Sequence, residues 1–233
     1  MTILVAVKKN NKVFLGADRI TMFGSEYATD LVDNCKIMKL KHGYLATSGY
    51  TLFKNIFEHL SSHKSELLNC EFKNKSDVFG FFLNLYGHLK DKYTLVDTGK
   101  DTFAGIYNTF LLVTPKSIYG IANNLSVHEY DRYAAKGAGS DYSLGSLYSL
   151  YDIMDDGEEI TRVALEAACQ FSIYCKEPLD IIEVKESGLK KARTPSFKPT
   201  KSEVMTRGAK AGMNRYKVVK KRSSSTGRRT KKS

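Results

Sequence analysis

Helical periodicity arrives in pairs in this sequence, each pair following a run of strands, and that order restricts the possible folds more than any other feature. Residues 2–8 are an apolar, largely β-branched run, Asn10-Asn11 supplies a turn, and residues 12–18 (KVFLGAD) complete a hairpin. Residues 19–33 are polar and rich in turn formers. Two short strands follow at 36–40 and 44–47, joined at His42-Gly43. After Gly49 the period changes: Leu52, Phe53, Ile56, Phe57 and Leu60 share one helical face. A second helix opens at the cap pair Ser76-Asp77 and carries Val78, Phe82, Leu85, Tyr86 and Leu89. Strand patterns return at 108–114 and 117–122. The joint Gly137-Ala138-Gly139-Ser140 leads into a helix striped by Leu144, Leu147, Tyr148 and Tyr151. Another helix carries Ile160, Val163, Ala164, Ala167 and Phe171, and residues 179–184 form the last strand. Single helices alternating with strands would build a parallel sheet. Paired helices after strand runs predict an α+β fold instead, with two antiparallel sheets face to face and helices outside, an αββα sandwich.

The chain divides at about residue 186. Its formal charge of +11 is not spread along it. Residues 187–233 hold sixteen Lys and Arg against one acid, Glu203, for +15, which leaves residues 1–186 at −4. The tail has no hydrophobic period and contains Pro195, Pro199 and a Ser-Ser-Ser run. Such a composition buries too little apolar surface to offset chain entropy, so it reads as a disordered, basic extension of a mildly acidic domain.

Chemistry is suggested first at the N-terminus. Thr2 follows the initiator methionine, which is removed readily when the next residue is small. The exposed threonine then has a hydroxyl nucleophile and, on the same residue, an α-amine able to accept its proton near neutral pH. Cys35, Cys70, Cys169 and Cys175 form no CxxC pair and read as free, buried thiols, not metal ligands. Lys8 and Lys9 interrupt the only N-terminal apolar run, so the reading has no export signal and no membrane span, a cytoplasmic location, and no metal or cofactor.

Several short motifs in order resemble the proteasome β-subunit family, and HslV, its simpler bacterial member, in particular. They are the start Thr-Ile-Leu-Val-Ala-Val-Lys, Gly-Ala-Asp-Arg at 16–19, Asp-Asn-Cys-Lys-Ile at 33–37, Ala-Thr-Ser-Gly at 46–49, Gly-Ala-Gly-Ser at 137–140 and the segment 167–175. The likeness spans about residues 2–185, the middle third by pattern only. It implies the αββα fold of the N-terminal-nucleophile (Ntn) hydrolases, rings of six or seven identical subunits, and cleavage of unfolded polypeptide inside the chamber they enclose. Carried over position by position, Thr2 matches the nucleophile, Asp18 the carboxylate after the second strand, Lys36 the lysine that stabilises the developing alkoxide, and the Gly49 N–H the oxyanion donor. Thr21 matches the residue whose backbone pairs with an extended substrate, and Thr47 lines the pocket for the substrate side chain. The sequence departs from the pattern at Ala138, where the family usually has serine, and at Ser172 and Cys175, where many members have aspartate and serine.

No GxxxxGK[ST] phosphate loop occurs, so unfolding energy would come from a separate ATP-driven unfoldase. In the tail, Lys220, Lys221, Arg222, Arg228, Arg229, Lys231 and Lys232 form clusters suited to phosphate contacts on a nucleic acid, to an acidic protein partner, or to solvation alone. A non-catalytic ring subunit and a small-molecule amidase are the competing readings of the domain.

Overall fold

The computed structural model describes residues 2–28, 31–63, 66–93, 96–97 and 105–185. The basic tail, with all seven of its candidate nucleic-acid contacts, lies outside the described residues.

The N-terminal hairpin forms as the sequence predicts. β1 (Ile3–Lys9) and β2 (Lys12–Asp18) pair antiparallel, with Lys9 opposite Lys12. Asn10 and Asn11 make the connecting turn at φ 52° and 60°. Two consecutive left-handed residues match the twist of a hairpin, and asparagine tolerates that region better than other side chains do.

Residues 19–33, read as irregular from the sequence, instead contain a small hairpin: β3 (Thr21–Phe23) and β4 (Glu26–Ala28), closed around Gly24 at φ 64°. β5 (Ile37–Leu40) and β6 (Gly43–Ser48) follow. Next come α1 (Leu52–Ser62), a 3₁₀ turn at Glu66–Asn69, and α2 (Lys75–Tyr93). The α2 cap is Asn74, not Ser76-Asp77: its Oδ1 accepts from the N–H groups of Ser76 at 2.8 Å and Asp77 at 3.1 Å. β7 (Val96–Asp97) and β8 (Gly105–Ile106) pair briefly. β9 (Thr109–Val113) and β10 (Ile118–Ile121) sit where the sequence has them, and β11 (Val127–Tyr130) and β12 (Tyr133–Gly137) are additional. The chain ends its described part with α3 (Ser140–Leu150), α4 (Gly157–Phe171), capped by Asp156, and β13 (Leu179–Val184).

The larger sheets have the orders β12-β1-β2-β13 and β11-β10-β9-β6-β5, with antiparallel neighbours throughout. Three apolar clusters separate four layers. Ile3, Val5 and Val7 of β1 pack with Leu147, Ile160, Ala164 and Leu165 of α3 and α4. Leu4 and Ala6, pointing the other way, meet Ala46, Leu111, Val113 and Ile118 between the sheets. Leu45, Phe110 and Leu112 point outward to Phe53, Phe57, Phe82 and Leu85 of α1 and α2. Period-two alternation along β1, β6 and β9 thus feeds adjacent cores from single strands. The result is the αββα sandwich that the element order predicts.

Candidate active site

Asp18 ends β2 with no solvent exposure. A buried carboxylate needs donors on its oxygens, and three converge here. Lys36 Nζ donates to Oδ1 at 2.7 Å, the Ile3 N–H donates to the same oxygen at 3.0 Å, and the Lys176 N–H reaches Oδ2 at 3.4 Å. The Ile3 N–H belongs to the peptide bond joining Thr2 to Ile3. One carboxylate oxygen therefore ties the lysine ammonium to the backbone that carries Thr2, itself buried at the head of β1. Burial pushes the Asp18 carboxyl above its ordinary value, opposed by the Lys36 ammonium and the backbone donors. Burial also lowers Lys36 below its ordinary value, opposed by Asp18. Its side chain is only 12% exposed.

The loop before β5 delivers Lys36 by two attachments. The Lys36 carbonyl accepts from the Thr47 N–H at 3.3 Å, which pins it to β6. Asn34, two residues earlier, donates to the Arg19 carbonyl and accepts from Thr21 Oγ1 at 2.6 Å. Arg19 is in turn paired through two nitrogens with Asp180 of β13.

Gly137 closes the far side of Thr2. It adopts φ 106°, and a Cβ there would fall 2.3 Å from the Thr2 carbonyl oxygen and 3.1 Å from Ser48 Oγ. Only glycine permits both the dihedral and the approach. Gly139 is equally confined, since a Cβ would sit 2.6 Å from Cys175 Sγ and 2.7 Å from the Ala168 methyl. The exposed residue of the joint is Ala138, the position that departs from the family serine. Burial raises the Cys169 thiol to about 12 and Cys175 to about 11. Both stay protonated at neutral pH, so neither offers a thiolate in competition with a threonine nucleophile.

Gly49 follows β6 at φ 143°. A Cβ there would meet Asn108 Cγ and the Tyr107 carbonyl oxygen, both at 2.7 Å.

Two residues take other orientations than the sequence reading gave them. Thr47 has the parity of Leu45, so its side chain turns toward the α1/α2 layer, where Thr47 Oγ1 accepts from Asn108 Nδ2 at 2.9 Å. Ser48 has the parity of Ala46, and its hydroxyl lies against Gly137. Ser48, not Thr47, is thus the β6 side chain that lies against Gly137. In the β3–β4 hairpin, the two-residue turn makes Phe23 and Glu26 the hydrogen-bonded closing pair. Alternation then directs the Thr21 backbone groups toward Ala28, and those of Met22 away from β4. Among the described residues no strand pairs with the other edge of β3, toward which Met22 turns its backbone groups, while the Thr21 hydroxyl donates to Asn34.

Asn108, Ser48 and Asn34 are absent from the sequence-derived site. Asn108 reads there as the first residue of a strand, and only the β6–β9 register brings it to Thr47, 61 positions away. Among the described residues no group of three or more His, Cys, Asp or Glu is placed to hold a metal ion, and no helix is long and apolar enough to cross a membrane.

No family sequence model matches the chain, and no curated protein matches it in sequence. Solved structures do match. Thiobacillus denitrificans BPH superposes with a TM-score of 0.72 at 26% identity, covering 79% of this chain and 98% of that one. The same protein in complex with epoxomicin gives 0.71 at 24% identity, covering 80% and 100%. Eukaryotic HslV from Trypanosoma brucei gives 0.56 at 16% identity, covering 78% and 99%. The described body has the proteasome β-subunit/HslV-like fold of the Ntn hydrolases.

Proposed function

We propose that this chain, built on the proteasome β-subunit/HslV-like fold, is a threonine peptidase that cleaves unfolded polypeptide through Thr2 once Met1 has been removed. The observation that carries the reading is the buried Asp18–Lys36 pair anchored on the Thr2–Ile3 peptide bond. A buried ammonium beside a threonine hydroxyl stabilises the alkoxide as it forms, and a carboxylate on the far side fixes that ammonium in place. The freed α-amine of Thr2 takes the hydroxyl proton. Thr2 Oγ then attacks the scissile carbonyl, and the Gly49 N–H, just ahead of the positive end of α1, meets the oxyanion. The amine returns the proton to the leaving nitrogen, and water releases the acyl group from Thr2. The open edge at Met22 receives an extended substrate by strand addition.

The epoxomicin bound to the Thiobacillus protein supports a threonine-protease reading at the level of the fold. Rings of six or seven copies, served by a separate ATP-dependent unfoldase, complete the proposal, because access to a chamber would confine cleavage to unfolded chains. The basic tail adds a separable, salt-sensitive affinity for phosphate-bearing or acidic partners.

Intact mass together with a peptidase assay tests the core of this reading. The purified protein should lack Met1 and cleave an unstructured peptide, and T2A should abolish cleavage. Full activity in protein that retains Met1, or in T2A, would refute it, while assembly without any cleavage would identify a non-catalytic ring subunit.

A further inference from the structure

Asn108 is 4% exposed and sits immediately before β9, facing the turn that follows β6. Its carboxamide makes three hydrogen bonds. Nδ2 donates to Thr47 Oγ1 at 2.9 Å and to the Tyr50 carbonyl at 3.2 Å, and Oδ1 accepts from the Tyr50 N–H at 3.3 Å. An amide group has two N–H donors on one side and an acceptor oxygen on the other. Here both N–H donors and the oxygen grip residues 47 and 50, on either side of the Ser48–Gly49 peptide. The carboxamide carbon also fills the space a Gly49 Cβ would take, 2.7 Å from that position. The Gly49 backbone is therefore moulded against Asn108 as well as bracketed by it.

We propose that Asn108 is a positioning residue that holds the Gly49 N–H in the orientation needed to stabilise an oxyanion. This rests on the peptidase reading above. Apolar burial does not account for the arrangement, because a leucine of similar size would leave the Thr47 hydroxyl and both Tyr50 backbone groups without these partners. A donor aimed at developing charge is effective only if it does not reorganise as the charge forms. Glycine, with φ at 143° and the widest conformational freedom of any residue, is the position where an external clamp matters most. Thr47 belongs to the same device, its hydroxyl anchoring the carboxamide from the strand side. The exposed rings of Tyr50 and Tyr107, in edge contact with centroids 5.5 Å apart, flank it from solvent.

The test uses the full-length protein carrying N108A, T47V or both. N108A should lower kcat at least tenfold on a peptide amide substrate with KM within twofold of wild type. A peptide aldehyde, whose adduct carries a tetrahedral oxyanion, should lose affinity by a similar factor, while the matching product peptide keeps its own. T47V should lose less, and the double variant should resemble N108A alone, because both substitutions disable one clamp. Amide hydrogen exchange supplies a readout independent of turnover: uptake in the segment containing Gly49 and Tyr50 should rise several-fold in N108A, with β1 and β2 unchanged. Unchanged exchange at that segment would overturn the clamp. Faster exchange with unaltered kcat and aldehyde affinity would overturn its role at the oxyanion. Absence of cleavage by the wild type would instead refute the peptidase reading, leaving the exchange result to decide the clamp.

Discussion

Replacing Lys36 with methionine keeps most of the stem and removes the ammonium that pairs with buried Asp18. The Asp18 carboxylate has no solvent exposure, and it keeps the backbone N–H groups of Ile3 at 3.0 Å and Lys176 at 3.4 Å. Removing one member of a buried ion pair costs about 3–5 kcal/mol. Because two backbone donors stay and the Lys36 side chain is 12% exposed, the lower end, about 3 kcal/mol, is expected at neutral pH. In a domain of this size that lowers Tm by about 6–12 °C. The loss should also depend on pH in a definite direction. Burial already raises Asp18 above its ordinary 3.8, and loss of the ammonium raises it further. A carboxyl whose folded pKa lies above its unfolded one contributes stability that is complete below the unfolded value and lost as pH rises through the folded value. The deficit of K36M relative to wild type should therefore be smallest near about pH 4 and widen toward neutrality. Urea denaturation followed by circular dichroism, at fixed protein concentration from about pH 4 to 8, measures it; the chain has no tryptophan to report by fluorescence. The double variant D18N/K36M, which has no carboxyl at this site, serves as control and should not show that widening toward neutrality. A K36M deficit below about 1 kcal/mol, or one equal at all pH values, would mean that the pair behaves as a solvent-screened surface contact and would refute the argument.

The same pair sets the alkaline limit of activity. kcat/KM should rise as the Thr2 α-amine loses its proton near about pH 8, and fall again where Lys36 deprotonates, at a pH below the ordinary lysine value of 10.5 because burial lowers it. Activity that depends on a charged Lys36 is present below its folded pKa and lost above it, so activity undiminished beyond pH 10.5 would exclude the ammonium from the mechanism. For the tail, truncation after Glu186 removes fifteen net positive charges and changes the formal charge from +11 to −4. Binding to a nucleic acid, measured by anisotropy, should disappear while peptidase activity survives, and full-chain affinity should fall by orders of magnitude over a few-fold rise in salt. Equal binding by the truncated protein would show that the tail is not the contact.

Local chemistry made several features legible from the residues alone. A threonine placed to carry both nucleophile and base, an Asn-Asn hairpin turn, helical stripes such as Phe53-Ile56-Phe57-Leu60 and a glycine joint against the first strand are each encoded within a few neighbouring positions. The order of strand runs and helix pairs was enough for the four layers, because each layer must cover an apolar face of the next. Tertiary structure decided what local pattern could not. β12 has the sequence YAAKG, weak as a strand by propensity, and becomes one because β1 pairs with it from Ile3 opposite Gly137 to Val7 opposite Tyr133. The β3–β4 register turned the backbone of Met22, not Thr21, to the open edge. Adjacent residues Thr47 and Ser48 face opposite cores, so a shift of one position in a strand exchanges a side chain that lies against Gly137 for one that contacts Asn108. Asn108 itself is polar, lies 61 residues from its hydroxyl partner, and carries no signal until two strands are placed side by side. Residue types and spacing name the groups that can do the chemistry; only packing across the sheets fixes which way each one points, because a side chain's direction is a property of strand register and not of the residue.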